Sequence, residues 1–543
     1  MRKGITKRAL SIVLATMMTA MTVVGCGSKT TNTTEPGASG NYVNGAYKDF
    51  SKGFAEQVTI KIPVYDRAFE GWDVTNNYYT QWIQKQFGDK YNVKVQYVAI
   101  GRTTEVADNM QMIAAGTAPD IIFHYDMPQA VNYYSEGAIQ DLDLNEIANY
   151  APDYYATLKD TIATYGKLDG KNAFTFGERT PIYYNYVQLM RQDWLDKVNM
   201  KMPTTRAELD KVLAAWKAAG LGNGGGFLLQ TGFNYMYGTL PANITDKDKA
   251  LYLDLNVAPL TWQASKDYLK EQNFEYNAGL IDTEFYLNEK DTDTKADFVS
   301  GKSGIYGAYL TSSTDIISSL LANNPTAKVA TMDGGAMAAD GKAAFYQNPS
   351  YGMIMGINSK TTDEQRAAIF MLLNWMDQPD NLFYLQNGVE GQNYTMVDGI
   401  ATPIAGYKGE SALSKNNNKD YWCLVQEVAH YETVEKTYKA NLKVLAPTGY
   451  EYLISDANKY ADKYMPLGVI TPIFTKTVAS VAEYSPDLKS MWKEFYVDLV
   501  TCPADQFEAK YIKYSKEYLD GGYQEILDEK QKLIDEGSYI IAK

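Results

Sequence analysis

The stretch AAGTAPDIIFH, Ala114 to His124, ends one pattern and begins another. Upstream, Glu105 to Ala115 carries apolar residues at helical spacing, and downstream Ile121-Ile122-Phe123 is a short apolar run of strand length. Working outward, Val93, Val95 and Tyr97 alternate with polar residues as a strand does. Tyr78 to Phe87 is helical in spacing, and Val58, Ile60, Ile62 and Val64 alternate again, with Pro63 pushing that strand toward an edge or an end. The order strand, helix, strand, helix, strand predicts a crossover α/β sheet with parallel strands and helices on both faces.

A second α/β body follows. Thr205 and Glu208 have capping-box spacing ahead of Leu209, Val212, Leu213 and Trp216, and Gly220 ends that helix. Thr361 and Glu364 repeat the pattern before Ala367, Phe370 and Met371, with Pro379 closing the helix. The last third reads as mostly helical, with helices over 486–500 and 523–536, and there is no internal repeat.

The N-terminus reads as an export signal. Arg2, Lys3, Lys7 and Arg8 precede an uncharged run from Ala9 to Val24, too short to span a bilayer. Val23-Val24-Gly25-Cys26 resembles a bacterial lipobox, which makes Cys26 the expected lipid-anchored residue. Gly27 to Gly40 is Ser, Thr, Asn, Gly and Pro, a composition that buries too little apolar surface to fold. Without the four basic residues of the signal, 47 basic residues face 65 acidic ones, a balance of −18 that disfavours nucleic acid and anionic lipid as partners. The length exceeds what one core holds. Cys423 and Cys502 remain after Cys26, with no metal or redox spacing, either paired or free. The 44 tyrosines and 8 tryptophans supply flat rings that suit sugar faces, although core packing uses the same residues.

Most catalytic and cofactor patterns fail on their context. Gly220, Gly222 and Gly225 fit GxGxxG but follow a helix, whereas a dinucleotide site needs a strand before and a helix after. Asp291, Asp293 and Asp297 read as a solvated acidic stretch, since Ala296 stands where a calcium loop turns on Gly and Lys302 where it needs Glu. Two histidines, His124 and His430, leave little room for metal or triad chemistry, and neither HExxH nor GxSxG occurs. Carboxylate pairs for glycoside hydrolysis are too numerous to single out two. No cofactor, no metal and no enzymatic activity is expected.

Several segments resemble family 1 extracellular solute-binding proteins of ABC importers. AAGTAPDIIFH is similar to the first-lobe signature of that family. RQDWLDKVNMKMPTTRAEL (Arg191 to Leu209), AGLIDTEF (Ala278 to Phe285), FVSGKSGIYG (Phe298 to Gly307), GVEGQNYTMVDG (Gly388 to Gly399) and GGYQEILDEKQ (Gly521 to Gln531) resemble its LplA-like, oligosaccharide-binding lipoprotein branch, in order. Many relatives carry an acidic calcium loop where this chain has Gly222-Asn223-Gly224-Gly225-Gly226, so no calcium is carried over.

The resemblance implies a two-lobed, periplasmic-binding-protein-like α/β fold of the maltose-binding type with a helical C-terminal region. Its expected parts are a signal peptide (1–25), a tether (26–55), a first lobe (56–180 with 350–400) and a second lobe (181–349 with 401–543). It further implies a monomer held by its lipid at the outer face of the bacterial cytoplasmic membrane, passing an oligosaccharide from an inter-lobe cleft to membrane permease subunits. A sensor, a peptide binder or a secreted hydrolase are the competing readings.

Ligands in such folds lie beyond strand ends, where rings stack on sugars and carboxylates, amides and Arg bind hydroxyls. That rule selects Tyr65, Asp66, Arg67 and Trp72 after the first strand, then His124, Tyr125 and Asp126 after the signature strand. At the crossovers and in the second lobe it selects Tyr183, Tyr184, Asn185, Phe233, Asn234, Tyr235, Tyr306, Tyr309, Gln347, Asn348, Glu390, Asn393 and Tyr394. Tyr421 and Trp422 read as core.

Overall fold

The computed structural model describes residues 40–541, apart from 69, 180–185, 223–239, 255, 288–290, 338–342, 405–418, 430, 434, 435, 438, 439, 441–448 and 451. The signal, Cys26 and His430 therefore lie outside the described residues.

Order begins earlier than the expected tether boundary at residue 55. Strands β1 (Tyr42–Val43) and β2 (Ala46–Tyr47) form a hairpin whose Asn44-Gly45 turn has φ of +55° and +84°, the left-handed pair a two-residue hairpin requires. Asn41 donates to Glu146 Oε1 at 3.0 Å and to the Asp363 carbonyl at 2.6 Å, while the Tyr47 hydroxyl donates to Asp143 at 2.8 Å. Phe50 stacks on Phe54, which is buried. Residues 41–55, expected in the tether, are docked.

Strands β3 (Val58–Asp66) and β4 (Val93–Gly101) run parallel over nine residue pairs. Between them, α1 (Tyr78–Ile83) starts at an Asn77–Thr80 capping box and continues through a widened turn at 84–88. There the Gln84 side chain donates to Val93 O at 3.0 Å and accepts from Val95 N at 2.9 Å, occupying backbone groups of β4. Gly88 permits this approach, since a Cβ there would sit 2.6 Å from Val93 O. Pro63 lies inside β3 rather than at its end, and among the described residues β3 has a ladder on one flank only, where a missing N–H is tolerated.

Helix α2 (Glu105–Ala115) leads into β5 (Ile121–His124) as the spacing predicts. The third strand departs from the all-parallel expectation. It makes no ladder with β3, whose Lys61 N–H is taken by the Asp120 carboxylate at 2.7 Å. Instead β5 pairs antiparallel with a later strand, β10 (Tyr351–Ile357), which also pairs antiparallel with β6 (Thr175–Glu178). All seven residues of β10 are buried. In the second body β7 (Tyr186–Arg191) lies antiparallel between β8 (Ile305–Tyr309) and β9 (Val329–Met332).

Helix α3 (Leu144–Tyr150) packs in the first body. Helix α4 (Arg206–Ala218) has the expected Thr205 cap, but Glu208 turns to Thr204 N at 2.8 Å rather than closing a box on Thr205. The 291–297 stretch opens the helix Asp291–Ser300, and Asp297 within it is buried and paired with Lys302 rather than solvated. Helix α6 (Asp363–Asp377) is capped by Thr362 with Gln365, one residue later than the expected Thr361 with Glu364. Pro379 begins a further helix, Pro379–Asn387. The long helix α7 (Ala479–Thr501) begins seven residues before Pro486, its first amides held by Glu529. The final helix α8 is Gln524–Asp535.

Two separate hydrophobic cores result. The first gathers Phe54 to Phe176, Tyr351 to Leu385, Tyr421 to Val425 and Ile473. The second gathers Met190 to Ala344 and Val469 to Ile526. Tyr421 to Val425 thus belong to the first core, although 401–543 was assigned to the second lobe. Cys423 and Cys502 are free, buried in different cores.

Candidate functional site

At the C-terminal ends of β3, β4 and β5 three loops converge. Tyr65 ends nearly buried in β3, its ring stacked on Phe123 at 4.6 Å and on Tyr125 at 6.3 Å. Arg102, just beyond β4, lays its guanidinium 4.8 Å from the Tyr65 ring centroid and 5.7 Å from that of Tyr125, a cation–π geometry. Its backbone N–H bonds the Asp66 carbonyl at 2.8 Å, which ties the two loops together.

Glu105 opens α2 and organises the layer beneath. His124 Nδ1 accepts the Asp126 N–H at 2.9 Å, so the ring proton sits on Nε2, which faces Glu105 Oε1 at 2.8 Å. Burial alone would raise the Glu105 carboxyl, but His124, Tyr65 and Arg102 outweigh it and hold it below the usual range. Tyr65 and Tyr125 are pushed up chiefly by desolvation. His124 is thus a buried pin between β5 and α2 rather than a ligand contact.

The third contribution comes from far along the chain. The segment Lys419–Glu427 enters the first core, and its Asp420, buried, takes both prongs of Arg67 at 2.7 and 2.8 Å. Burial raises Asp420 despite that partner, while the hydrogen bonds that Arg67 donates to Asp420 raise Arg67. Glu427 pairs with Lys419 and lies 4.0 Å from Arg179. Burial opposes its charge, but Lys419, Arg179 and the Tyr125 hydroxyl hold Glu427 below the usual range. Strand β6 joins this segment through the Glu178–Gln426 bridge and the Glu427 N–H bond to the Glu178 carbonyl at 2.6 Å.

Of the residues selected from sequence, Tyr65, Asp66, Arg67, Tyr125 and Asp126 meet here. Trp72 packs edge-on against Tyr79 at 6.2 Å. Tyr306 is buried in β8 against Phe298 at 5.9 Å, which places its ring in the second body's interior rather than on a stacking surface. Gln347 and Asn348 are partly exposed beyond the strand Ala343–Tyr346, with the Gln347 N–H on Val469 O at 2.8 Å. Asn393 is buried and its Oδ1 accepts the Val389 N–H at 2.8 Å, Tyr394 is buried in the hairpin Tyr394–Pro403, and Glu390 is exposed. Tyr183, Tyr184, Asn185, Phe233, Asn234, Tyr235 and the loop 223–226 lie outside the described residues, as does the side chain of Tyr309.

Sequence reasoning missed Arg102, Glu105, Arg179, Lys419, Asp420 and Glu427. Arg102 was reachable by applying the strand-end rule to β4 as well. Asp420 and Glu427 carried no local signal.

Among the described residues one acidic group has the spacing of a metal site: Asp210, Glu271 and Glu275, between α4 and α5 (Gln263–Asn277), with ligand atoms within 4.8 Å of one another. Arg206 lies in the group, its Nε 2.8 Å from Glu275 Oε1, so the arrangement reads as a buried ion-pair network.

Lipoprotein LipO of Bacillus subtilis (strain 168) is 24% identical over 298 residues, 50% of this chain, and the chain spans about half (55%) of that relative's length. The alginate-binding protein AlgQ2, solved without calcium, superposes with a TM-score of 0.62 at 18% identity, covering 90% of this chain and all of that one. The substrate-binding protein FusA of an S. pneumoniae ABC transporter, in complex with kestose, gives 0.62 at 16% identity, covering 88% and 99%. An extracellular solute-binding protein from Bifidobacterium longum subsp. infantis gives 0.57 at 16%, covering 89% and 99%. At these identities the solved structures establish the fold, two-lobed and α/β, with the two cores as its lobes. Residues 82–394 match the family described as bacterial extracellular solute-binding protein, more than half of the chain, and the chain belongs to that family.

Proposed function

We propose that this chain is the lipid-anchored substrate-binding protein of an ABC importer, taking an oligosaccharide between its lobes and passing it to a membrane permease. The observation that carries the sugar reading is Tyr125, a partly exposed ring flanked by the half-exposed Asp126 carboxylate and the partly exposed Arg102 guanidinium. A ring for C–H faces beside charged groups for hydroxyls is what a pyranose or furanose face needs, since hydrogen bonds to charged groups are the stronger ones. Cys26, in its lipobox-like setting, supplies the anchor. Binding would draw the lobes together by favouring the closed state, with no bond made or broken.

Titration calorimetry of the secreted chain against neutral and acidic oligosaccharides and a peptide panel tests this. Saturable binding of a sugar without turnover supports the reading. Peptide binding alone, or release of shorter sugars, refutes it.

A further inference from the structure

The charges around Tyr125 go further and bear on the class of sugar. Each basic group of this site already faces a carboxylate. Arg67 is committed to Asp420 through two hydrogen bonds, Arg102 lies 3.1 Å from Glu105, and Lys419 and Arg179 share Glu427. These partners are held inside the protein: Asp420 is 3% exposed and the Glu105 and Glu427 side chains 11% each. A ligand carboxylate would have to compete with them for these cations.

At the open rim the balance tips to negative. Asp126 adjoins Tyr125 and Asp66 ends β3 in the neighbouring loop, and among the described residues neither makes an ion pair with Lys or Arg; the Asp66 carboxylate takes the Ala68 N–H at 2.8 Å, and Asp126 lies 3.9 Å from His124 Nδ1. Among the described residues, an acidic sugar brought to these loops therefore meets two carboxylates without an ion-pair partner and only cations that already face a carboxylate. A neutral sugar meets acceptors for its hydroxyl protons and, in Arg102, donors for its hydroxyl oxygens.

We infer that the first-lobe site takes an uncharged oligosaccharide and turns away those bearing carboxylate or sulfate groups. The inference rests on the sugar-binding reading above and narrows it. The shared fold with an alginate-binding protein does not extend to a shared preference for polyuronates.

The test is calorimetry of the secreted chain with neutral oligomers (cello-, xylo-, manno-, malto- and fructo-oligosaccharides) and acidic ones (oligogalacturonate, alginate oligomers, sulfated oligosaccharides). A neutral oligomer is expected to bind with an affinity changing less than about 2-fold between about 20 and about 500 mM NaCl, since no ligand charge is screened. Acidic oligomers are expected to bind at least about 10-fold more weakly. Asp66→Asn with Asp126→Asn is expected to narrow that gap severalfold; an unchanged gap would remove these carboxylates as its cause and overturn the inference. Acidic oligomers binding as tightly as neutral ones, with affinity falling steeply in salt, also overturn it while leaving sugar binding intact. Silence from every sugar of both classes defeats the sugar reading itself, and the inference with it.

Discussion

Arg67 and Asp420, 353 positions apart, meet in a two-pronged ion pair that fastens the end of the first long strand to a segment far downstream in the chain. Asp420 is 3% exposed, so the pair is largely dry on its acidic side. Asp420→Ala would leave Arg67 part-buried without a partner, and we expect a loss of about 2–4 kcal/mol, read as a lower thermal midpoint. The apolar double substitution Arg67→Met with Asp420→Leu should recover most of it. A double variant no better than the single one would mean that the cost lies elsewhere.

Removing the ring at the site should separate binding from folding. Tyr125→Ala is expected to weaken oligosaccharide affinity about 10- to 100-fold, and Arg102→Ala somewhat less, because large rings and Arg dominate such contacts. Arg102→Ala, at a partly exposed position, should leave the melting temperature nearly unchanged. Calorimetry beside thermal melts checks both.

Asp377, at the end of α6, is pushed up to about 6 by burial, with Glu178 and Asp153 adding repulsion. Its unfolded value is near 3.8, so between the two the folded chain holds a proton that the unfolded chain has lost. Stability contributed by this group is therefore full below about pH 4, falls as pH rises to about 6 and is flat above, a span of at most about 3 kcal/mol. Asp377→Asn should flatten that interval and raise the thermal midpoint at pH 7.5. Melts recorded every half pH unit decide it.

Asn41→Ala should cost about 1–2 kcal/mol, because it removes a donor from buried Glu146 and from the Asp363 carbonyl. Faster hydrogen exchange across α3, Leu144–Tyr150, would report the same loss locally. Exchange in α3 that is unaffected would show that the hairpin does not brace it.

Both thiols should be inert in the native chain. Burial pushes Cys423 well above the ordinary thiol range and raises Cys502 as well. Ellman's reagent is expected to titrate two thiols only after denaturation, and reductant should not shift the melting temperature. A native chain without titratable thiols on unfolding would reveal a disulfide instead.

What could be read from the amino-acid order was what depends on near neighbours. Helix Glu105–Ala115 and the Thr205 cap follow from spacing a few residues wide. The Thr361-Thr362-Asp363-Glu364-Gln365 run fits the capping pattern in two registers, and the one adopted places Asp363 where its carboxylate meets Arg366 at 2.7 Å and its carbonyl meets Asn41. Local pattern cannot choose between them. Strand β10, all apolar, has no alternation to announce it, and it is the strand that turns an expected parallel sheet into a mixed one. The same limit governs the site. Tyr65, Arg67 and Tyr125 sit at strand ends and were selected, whereas Asp420 and Glu427 arrive from a segment whose local pattern signals only packing. Tyr306 was chosen from the family resemblance, but it is buried against Phe298.

The small hairpin at 42–47 has a mechanical meaning. Its side-chain bonds run to the first lobe, through Glu146, Asp143 and Asp363. A load applied to the chain ahead of the hairpin would therefore enter the fold through the first core and reach the second only by way of it.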